Sequence, residues 1–248
     1  MPDASPPSPF HARLARWREL HERYGPARSY PHAWRLPEMA RPLGSEARLA
    51  ACRAWALDLF TLGRIREARQ AIAQSCTQSC AQSDAQTDLG LLSAACDILA
   101  GLPARPTGPL EPEERAWLAY LADDADTVMG LSLPQAPWPR LLDFWARSRR
   151  GERADIAAAQ RAAGELRARS PILGARAEAV VAEALFRQAP RWAVIWLDLA
   201  LDACERYAQH YLQPRLLRCK TEALEAAGEI REAERFAQVR EALLRRLA

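Results

Sequence analysis

The chain has 248 residues, 49% of them hydrophobic and 26% charged, with a formal net charge of +3. That length allows one large domain or two small ones with a sizeable core, and that composition excludes general disorder. The near-balanced charge lacks the clustered basic excess of a nucleic-acid binder, and lysine occurs once, at Lys220, so the abundance of arginine reflects coding bias more than arginine-specific recognition.

Strand-like alternation of β-branched residues is absent, and Ala, Leu, Arg and Glu dominate, so the chain reads as all-α. Residues 1–45 stand apart as a disordered tail, a short helix and a Pro-rich arm. MPDASPPSPF has four prolines and no apolar run of the kind a secretory signal needs. A short amphipathic helix is predicted from Phe10 to Tyr24, stopped by Gly25-Pro26. Prolines 26, 31, 37 and 42 then forbid a regular helix through the arm. From 46 to 248 a helical domain follows. Ser45 is placed to cap a helix that runs to Gly63, and a second helix starts near Ile65. The stretch QSCTQSCAQSDAQTD (74–88) reads as tandem copies of Q-[ST]-[CD]-x, a polar helix extension or linker. Further helices are expected over 87–99, 113–122, 140–149, 154–169, 173–188, 192–207, 213–226 and 230–247. Region 100–140 is irregular. The 192–207 helix is apolar nearly all round, which predicts burial on most sides, with Trp192 and Trp196 as packing residues. The last helix has one apolar face and one charged face, the pattern of a terminal capping helix.

Chemistry-bearing patterns are scarce. No H-E-x-x-H, C-x-x-C, G-x-S-x-G or glycine-rich phosphate loop occurs, and histidines 11, 21, 32 and 210 have no second ligand at metal spacing. Catalytic residues, metal ligands and cofactors are therefore none on this reading. Cys76 and Cys80, four apart, lack the two further ligands that zinc requires. Asp123, Asp124 and Asp126 read as helix capping. Arg147, Arg149, Arg150 and Arg153 read as a solvated helix end. Trp34 and Trp138 lie in Pro-rich segments, as partner anchors or as pins for those segments. Six cysteines without a signal imply reduced thiols and a cytoplasmic protein. The most apolar run, Trp192–Leu201, is broken by Asp198 and is too short to cross a bilayer, so no membrane insertion is expected.

Two segments repeat. LFTLGRIREARQAI (59–72) matches LEAAGEIREAERFA (224–237), each carrying G-x-I-R-E-A at a helix–turn–helix junction. Glycine permits the tight turn, and the small alanine permits close helix approach. Ala56, Leu59, Gly63, Ala68 and Ile72 in the first copy correspond to Thr221, Leu224, Gly228, Ala233 and Ala237 in the last. A looser copy holds Val181, Ala184, Gln188, Ala193 and Leu197. This pattern, over about half the chain, resembles the tetratricopeptide (TPR) family of helical hairpins. The turns at 151, 188 and 228 are 37 and 40 residues apart, similar to the longer repeats of bacterial regulators of the MalT type. A fainter likeness lies in GPARSYPHAWRLP. Its Pro26, Tyr30, His32, Leu36 and Pro37 are similar to an early segment of the cytosolic sorting-platform adaptors of bacterial type III secretion systems.

The TPR resemblance implies an all-α solenoid or helical bundle of stacked antiparallel hairpins, and a non-enzymatic adaptor or scaffold that takes a peptide or helix in a groove. Groove-facing, partner-binding residues would be Arg53, Leu57, Phe60, Phe186, Arg215 and Arg218, and their arginines suit an acidic partner. Two alternatives stand beside it: an accessory or sorting-platform component of a type III secretion system, and an all-α ligand-sensing domain or enzyme with an inter-helix pocket. A buried His or Asp–Arg pair in a deep pocket would favour the latter; a groove open to solvent would favour the adaptor. The oligomeric state stays open.

Overall fold

The computed structural model describes residues 8–76, 84–104, 106 and 108–247. Among them every regular element is helical and none is a strand. The order is α1 (Pro9–Tyr24), α2 (Pro26–Ala33), α3 (Leu36–Ala40), α4 (Ser45–Thr61), α5 (Ile65–Cys76), α6 (Asp84–Leu99) and α7 (Pro112–Leu121). It continues with α8 (Ala125–Met129), α9 (Pro137–Arg149), α10 (Ile156–Arg169), α11 (Pro171–Gln188), α12 (Pro190–Arg206), α13 (Gln213–Ala226) and α14 (Ile230–Leu247), with a 3-10 turn at His210–Leu212 before α13. The middle of the polar stretch, 77–83, including Cys80, and the tail at 1–7 lie outside the described residues.

Proline mostly starts helices here. Residues 9, 26, 37, 112, 137, 171, 190 and 214 each occupy the first or second position of one, where the missing N–H has no partner to lose. No single helix runs through the arm, which forms two short helices, α2 and α3; Pro31 lies inside α2 at the cost of one intrahelical donor. Ser45 is likewise the first residue of α4 and not its cap; Gly44 takes that place without a side-chain bond. The two G-x-I-R-E-A turns share one geometry. Gly63 and Gly228 have φ of +73° and +82°, and the N–H of the following residue donates five positions back, Arg64 to Leu59 O at 2.8 Å and Glu229 to Leu224 O at 2.9 Å. Left-handed backbone of this kind is the reason for glycine at both places.

Neighbouring helices pack as antiparallel pairs, and α9, α11 and α13 also touch one another in an inner row. The alternate helices α10, α12 and α14 have at most marginal mutual contact. An inner row in contact and an outer row apart make a curved stack. The curve closes far enough that α4 reaches the 3-10 turn, with Phe60 tilted against Tyr211 at 4.6 Å and edge to face with Trp117 at 5.9 Å. One core cluster runs from Leu49 to Ala223. A second, built from Phe10, Trp17, Ala33, Leu36, Ala40, Ala51 and Ala54, seats the amino-terminal arm on α4. α1 also touches α11: the Ser170 hydroxyl donates to Glu22 O at 3.0 Å. Gly25, at φ +75°, lies against Tyr207, where an added Cβ would sit 2.4 Å from the carbonyl oxygen.

The expectation for α12 is overturned. Its sequence is apolar nearly all round, yet Trp192 is 68% exposed, Ile195 54% and Leu199 53%, while Trp196 does pack against the core. α12 packs on α11, α13 and the 3-10 turn, and Trp192, Ile195 and Leu199 are left on its exposed outer face. α14 packs on α13; Ala233 is buried there and Ile230 is exposed.

Candidate functional site

Three side-chain constellations stand out: a buried cationic hub, a carboxylate staple and an apolar groove. The hub centres on Arg215 of α13. Its Nε donates to Glu183 Oε2 on α11 at 2.5 Å, and its terminal nitrogens donate to the Tyr120 carbonyl and to Asp123 Oδ1, the latter at 3.1 Å. The guanidinium stacks over Tyr120 at 4.3 Å and over Trp145 at 5.3 Å, and those two rings meet edge to face at 5.1 Å. The Tyr120 hydroxyl donates to Glu183 Oε1 at 2.9 Å. Asp123, at φ +61°, also accepts from Arg149 at 2.6 Å and from Arg218 at 3.1 Å. One arginine thus ties α7, α9, α11 and α13 together. Burial pulls its acidity the wrong way for a cation, but Glu183 and Tyr120 more than reverse this, so Arg215 stays charged. Burial, and then the neighbouring Glu183 charge, pushes the Tyr120 hydroxyl well above its ordinary value and keeps it a neutral donor. A fully bonded buried pair of this sort specifies one arrangement of helices and is costly to break from one side.

The staple centres on Asp58 of α4, which is fully buried. Its carboxylate accepts from Trp17 Nε1 at 3.1 Å, from His21 Nδ1 at 2.6 Å and from the Ser29 hydroxyl at 2.9 and 2.8 Å. Ser, His and Asp here do not form a nucleophilic relay. A serine is activated through the imidazole nitrogen that faces away from the carboxylate. Ser29 instead donates to Asp58, lies 3.5 Å from the same Nδ1 that Asp58 holds, and has no exposed surface. The geometry fastens α1 and α2 onto α4.

The groove lies where α4, α6, α7, α9 and α11 converge. It holds about 310 Å³, and its walls are Leu57, Leu91, Leu92, Trp117, Trp138 and Leu173. Charges sit at its rim: Arg53 paired with Asp88 at 2.6 Å, Glu113 and Glu114 on α7, and Arg176 on α11. Glu114 also completes a capping box with Glu111, accepting its N–H at 2.9 Å. A smaller hollow of about 210 Å³ between α1 and α4 shares Arg53 and Leu57 with it, and His21 lines that hollow. An open apolar trough with a charged rim buries apolar side chains and fixes their direction by polar contacts at its edge.

Only part of the predicted set meets here. Arg53 and Leu57 line the groove. Phe60 does not: it has no exposed surface, because the curved stack closes over it. Phe186 is half-buried against the main core. Arg215 belongs to the hub, its side chain 12% exposed, and Arg218 turns to Asp123. The expectation of an acidic partner rests on these arginines; with Arg215 and Arg218 neutralised internally, and Glu113 and Glu114 on the rim, the groove itself gives no basic surface. The basic run resolves into pairs as well: Arg147 with Asp143 and Glu152, Arg149 with Asp123, Arg150 with Asp126. Asp124 does cap α8, accepting from Thr127 N at 3.0 Å. Asp123 is a hub ligand, which a three-aspartate run does not reveal. Trp138 lines the groove wall, whereas Trp34 is 48% exposed beneath Arg35. Among the described residues no group of three His, Cys, Asp or Glu side chains could hold a metal ion, and no helix is long and apolar enough to cross a membrane. No protein-family model, curated protein or solved structure is significantly similar to this chain.

Proposed function

We propose that this chain is a non-enzymatic adaptor of TPR-like build that binds an apolar peptide or helix of a partner protein in the groove between α4 and α11. The observation that carries this reading is the groove itself: six apolar side chains from five helices face one open trough, with paired and unpaired charges confined to its edge. Helical hairpins recognise segments of partners in this way, through anchors at helical spacing in a preformed trough. The buried His21–Asp58 pair, which an enzyme reading would recruit, is spent on holding the arm, and its serine has no path to a substrate.

The test is co-purification from the native host with quantitative mass spectrometry, comparing the wild type with Leu91→Glu and with Arg53→Glu/Glu113→Arg. A specific partner is expected to be enriched by the wild type and depleted about tenfold or more by Leu91→Glu, the scale of losing one buried anchor. Both variants must melt like the wild type. A partner set unaffected by either change contradicts the reading. A secretion-adaptor role draws support from one observation, the firm seating of the arm, where Ala33 and Leu36 are fully buried and Tyr30 bonds Arg64 at 2.8 Å; partners drawn from secretion proteins in the same experiment would select it.

A further inference from the structure

Charge is nearly balanced over the whole chain but not along it. The first 48 residues hold eight arginines against five carboxylates, which is the whole of the net +3, and residues 49–248 balance to zero. The fold gathers half of those arginines on the outer side of the α1–α2 hairpin. Arg13, Arg16 and Arg23 share one side of α1, and Arg28 and His32 share one side of α2. The two helices pack together about Gly25, and His32 marks which sides meet. Burial, and then the charges of Arg13 and Arg16, hold His32 below its ordinary value. At the turn, Arg23 and Arg28 both lie over the Tyr24 ring, at 5.3 and 5.9 Å. Arg16, Arg23 and Arg28 are exposed and Arg13 is half-buried.

The basic run of α9 is matched by carboxylates, with Arg147, Arg149 and Arg150 each paired; the hairpin is not. Among the described residues only Arg16 of these four has a carboxylate in ion-pair range, Glu19 at 2.7 Å. Glu22 lines the hollow between α1 and α4, Glu38 and Glu46 pair with none of the four, and Asp3 lies outside the described residues. Four cations along about 15 Å of hairpin, two of them held by one ring, are preorganised for carboxylates, which take the planar edge of a guanidinium in two parallel hydrogen bonds.

The extent of the patch and its surroundings decide which anion fits. A nucleic-acid strand is a continuous polyanion and would run off the patch onto a body whose acids and bases balance. A lipid surface takes up apolar side chains beside the charge. Here Phe10, Trp17, Ala33 and Leu36 are buried against α4, and the exposed rings of Tyr24 and Trp34 each lie under an arginine. A short acidic stretch of polypeptide matches both the length and the charge.

We propose that the outer side of the α1–α2 hairpin binds a short acidic segment of a protein partner, its carboxylates held by Arg13, Arg16, Arg23 and Arg28. This surface is apart from the α4–α11 groove and does not depend on the groove reading.

Fluorescence anisotropy of the full chain with a dye-labelled peptide of about ten residues, half of them glutamate, reads the outcome. The wild type is expected to bind the peptide at low salt and to lose affinity steadily as salt is raised. Arg23→Glu/Arg28→Glu is expected to weaken binding about tenfold or more, and Arg23→Gln/Arg28→Gln about fivefold, the scale of two exposed ion pairs. Arg231→Glu/Arg235→Glu, an equal charge change at exposed positions of α14, is expected to weaken it less than about twofold. The hairpin variants replace exposed side chains without carboxylate partners, so their melts should match the wild type, and the glutamine pair decides if the glutamate pair melts lower. A wild type that does not bind the peptide overturns the proposal, as does an equal loss in the α14 variant. Tighter binding of single-stranded or duplex DNA, or of phosphatidylserine vesicles, than of the peptide at the same salt overturns it too.

Discussion

The hub and the groove share α7, α9 and α11 and differ in how they treat charge. In the hub, Arg215, Glu183 and Tyr120 are buried and bonded to one another, and the apolar rings of Tyr120 and Trp145 lie against the cation. In the groove the arrangement is reversed: the interior is apolar and open, and the charges stand at the edge in reach of solvent. The difference separates stability from recognition. A desolvated, saturated ion pair locks helix positions and has little capacity left for a ligand. An open apolar trough contributes little to folding and keeps its burial energy for a partner. Two arginines that the repeat reading assigns to one groove, Arg53 and Arg215, therefore have opposite duties.

Substitutions can break that contrast, and the hub change should be the most damaging. Arg215→Ala leaves Glu183 buried without its cation and is expected to cost about 3–5 kcal/mol in denaturant unfolding. Arg53→Ala at the groove rim removes a solvent-exposed pair and should cost about 0–1 kcal/mol by the same measurement. Equal losses at the two sites would erase the distinction. Next in size is the staple. Asp58→Ala strands the buried Trp17, His21 and Ser29 donors and is expected to cost about 2–4 kcal/mol, with limited proteolysis then cutting the α1–α2 arm first. Gly25→Ala acts on the same docking. Its Cβ meets the Tyr207 carbonyl in a left-handed conformation, for a loss of about 1–3 kcal/mol.

A smaller effect comes with pH. Burial pushes the thiols of Cys96, Cys204 and Cys219 from 9.0 up to about 12, and burial also holds Tyr120 well above 10.0. In the unfolded chain these groups lose their protons near the ordinary values, while the folded chain keeps them. Their contribution is therefore complete below pH 9 and is lost as the pH rises from 9 towards 12. Thermal melts from pH 8 to 11 should fall steadily over that window, and a flat profile would mean that these groups are not desolvated.

Much of the fold can be read from the sequence because its signals are local. The G-x-I-R-E-A pair predicts two turns, and Gly63 and Gly228 adopt the same left-handed geometry. The burial of the helix after each turn is not legible in the motif. Ile65 is 9% exposed and Ile230 is 53%, because α6 packs beside α5 whereas α14 packs on α13. Burial belongs to neighbours, which a repeat motif does not specify. The same limit applies to α12, whose apolar outer face has the composition of core, and to Phe60, which an open solenoid would expose and a closed curve buries. For the site, repeat register locates Arg53 and Leu57. It does not locate Asp88, Leu91, Trp117 and Leu173, because none of them falls in a repeat copy and packing alone sets which side chains face the groove.

The most direct test of the groove places a photo-crosslinking amino acid at Leu91, on the groove wall, and at Leu102, exposed outside it, in the native host. The account predicts one discrete crosslinked protein from position 91, absent from position 102 and lost when Arg53→Glu and Glu113→Arg are added. No crosslink at 91, or the same products from both positions, would contradict it.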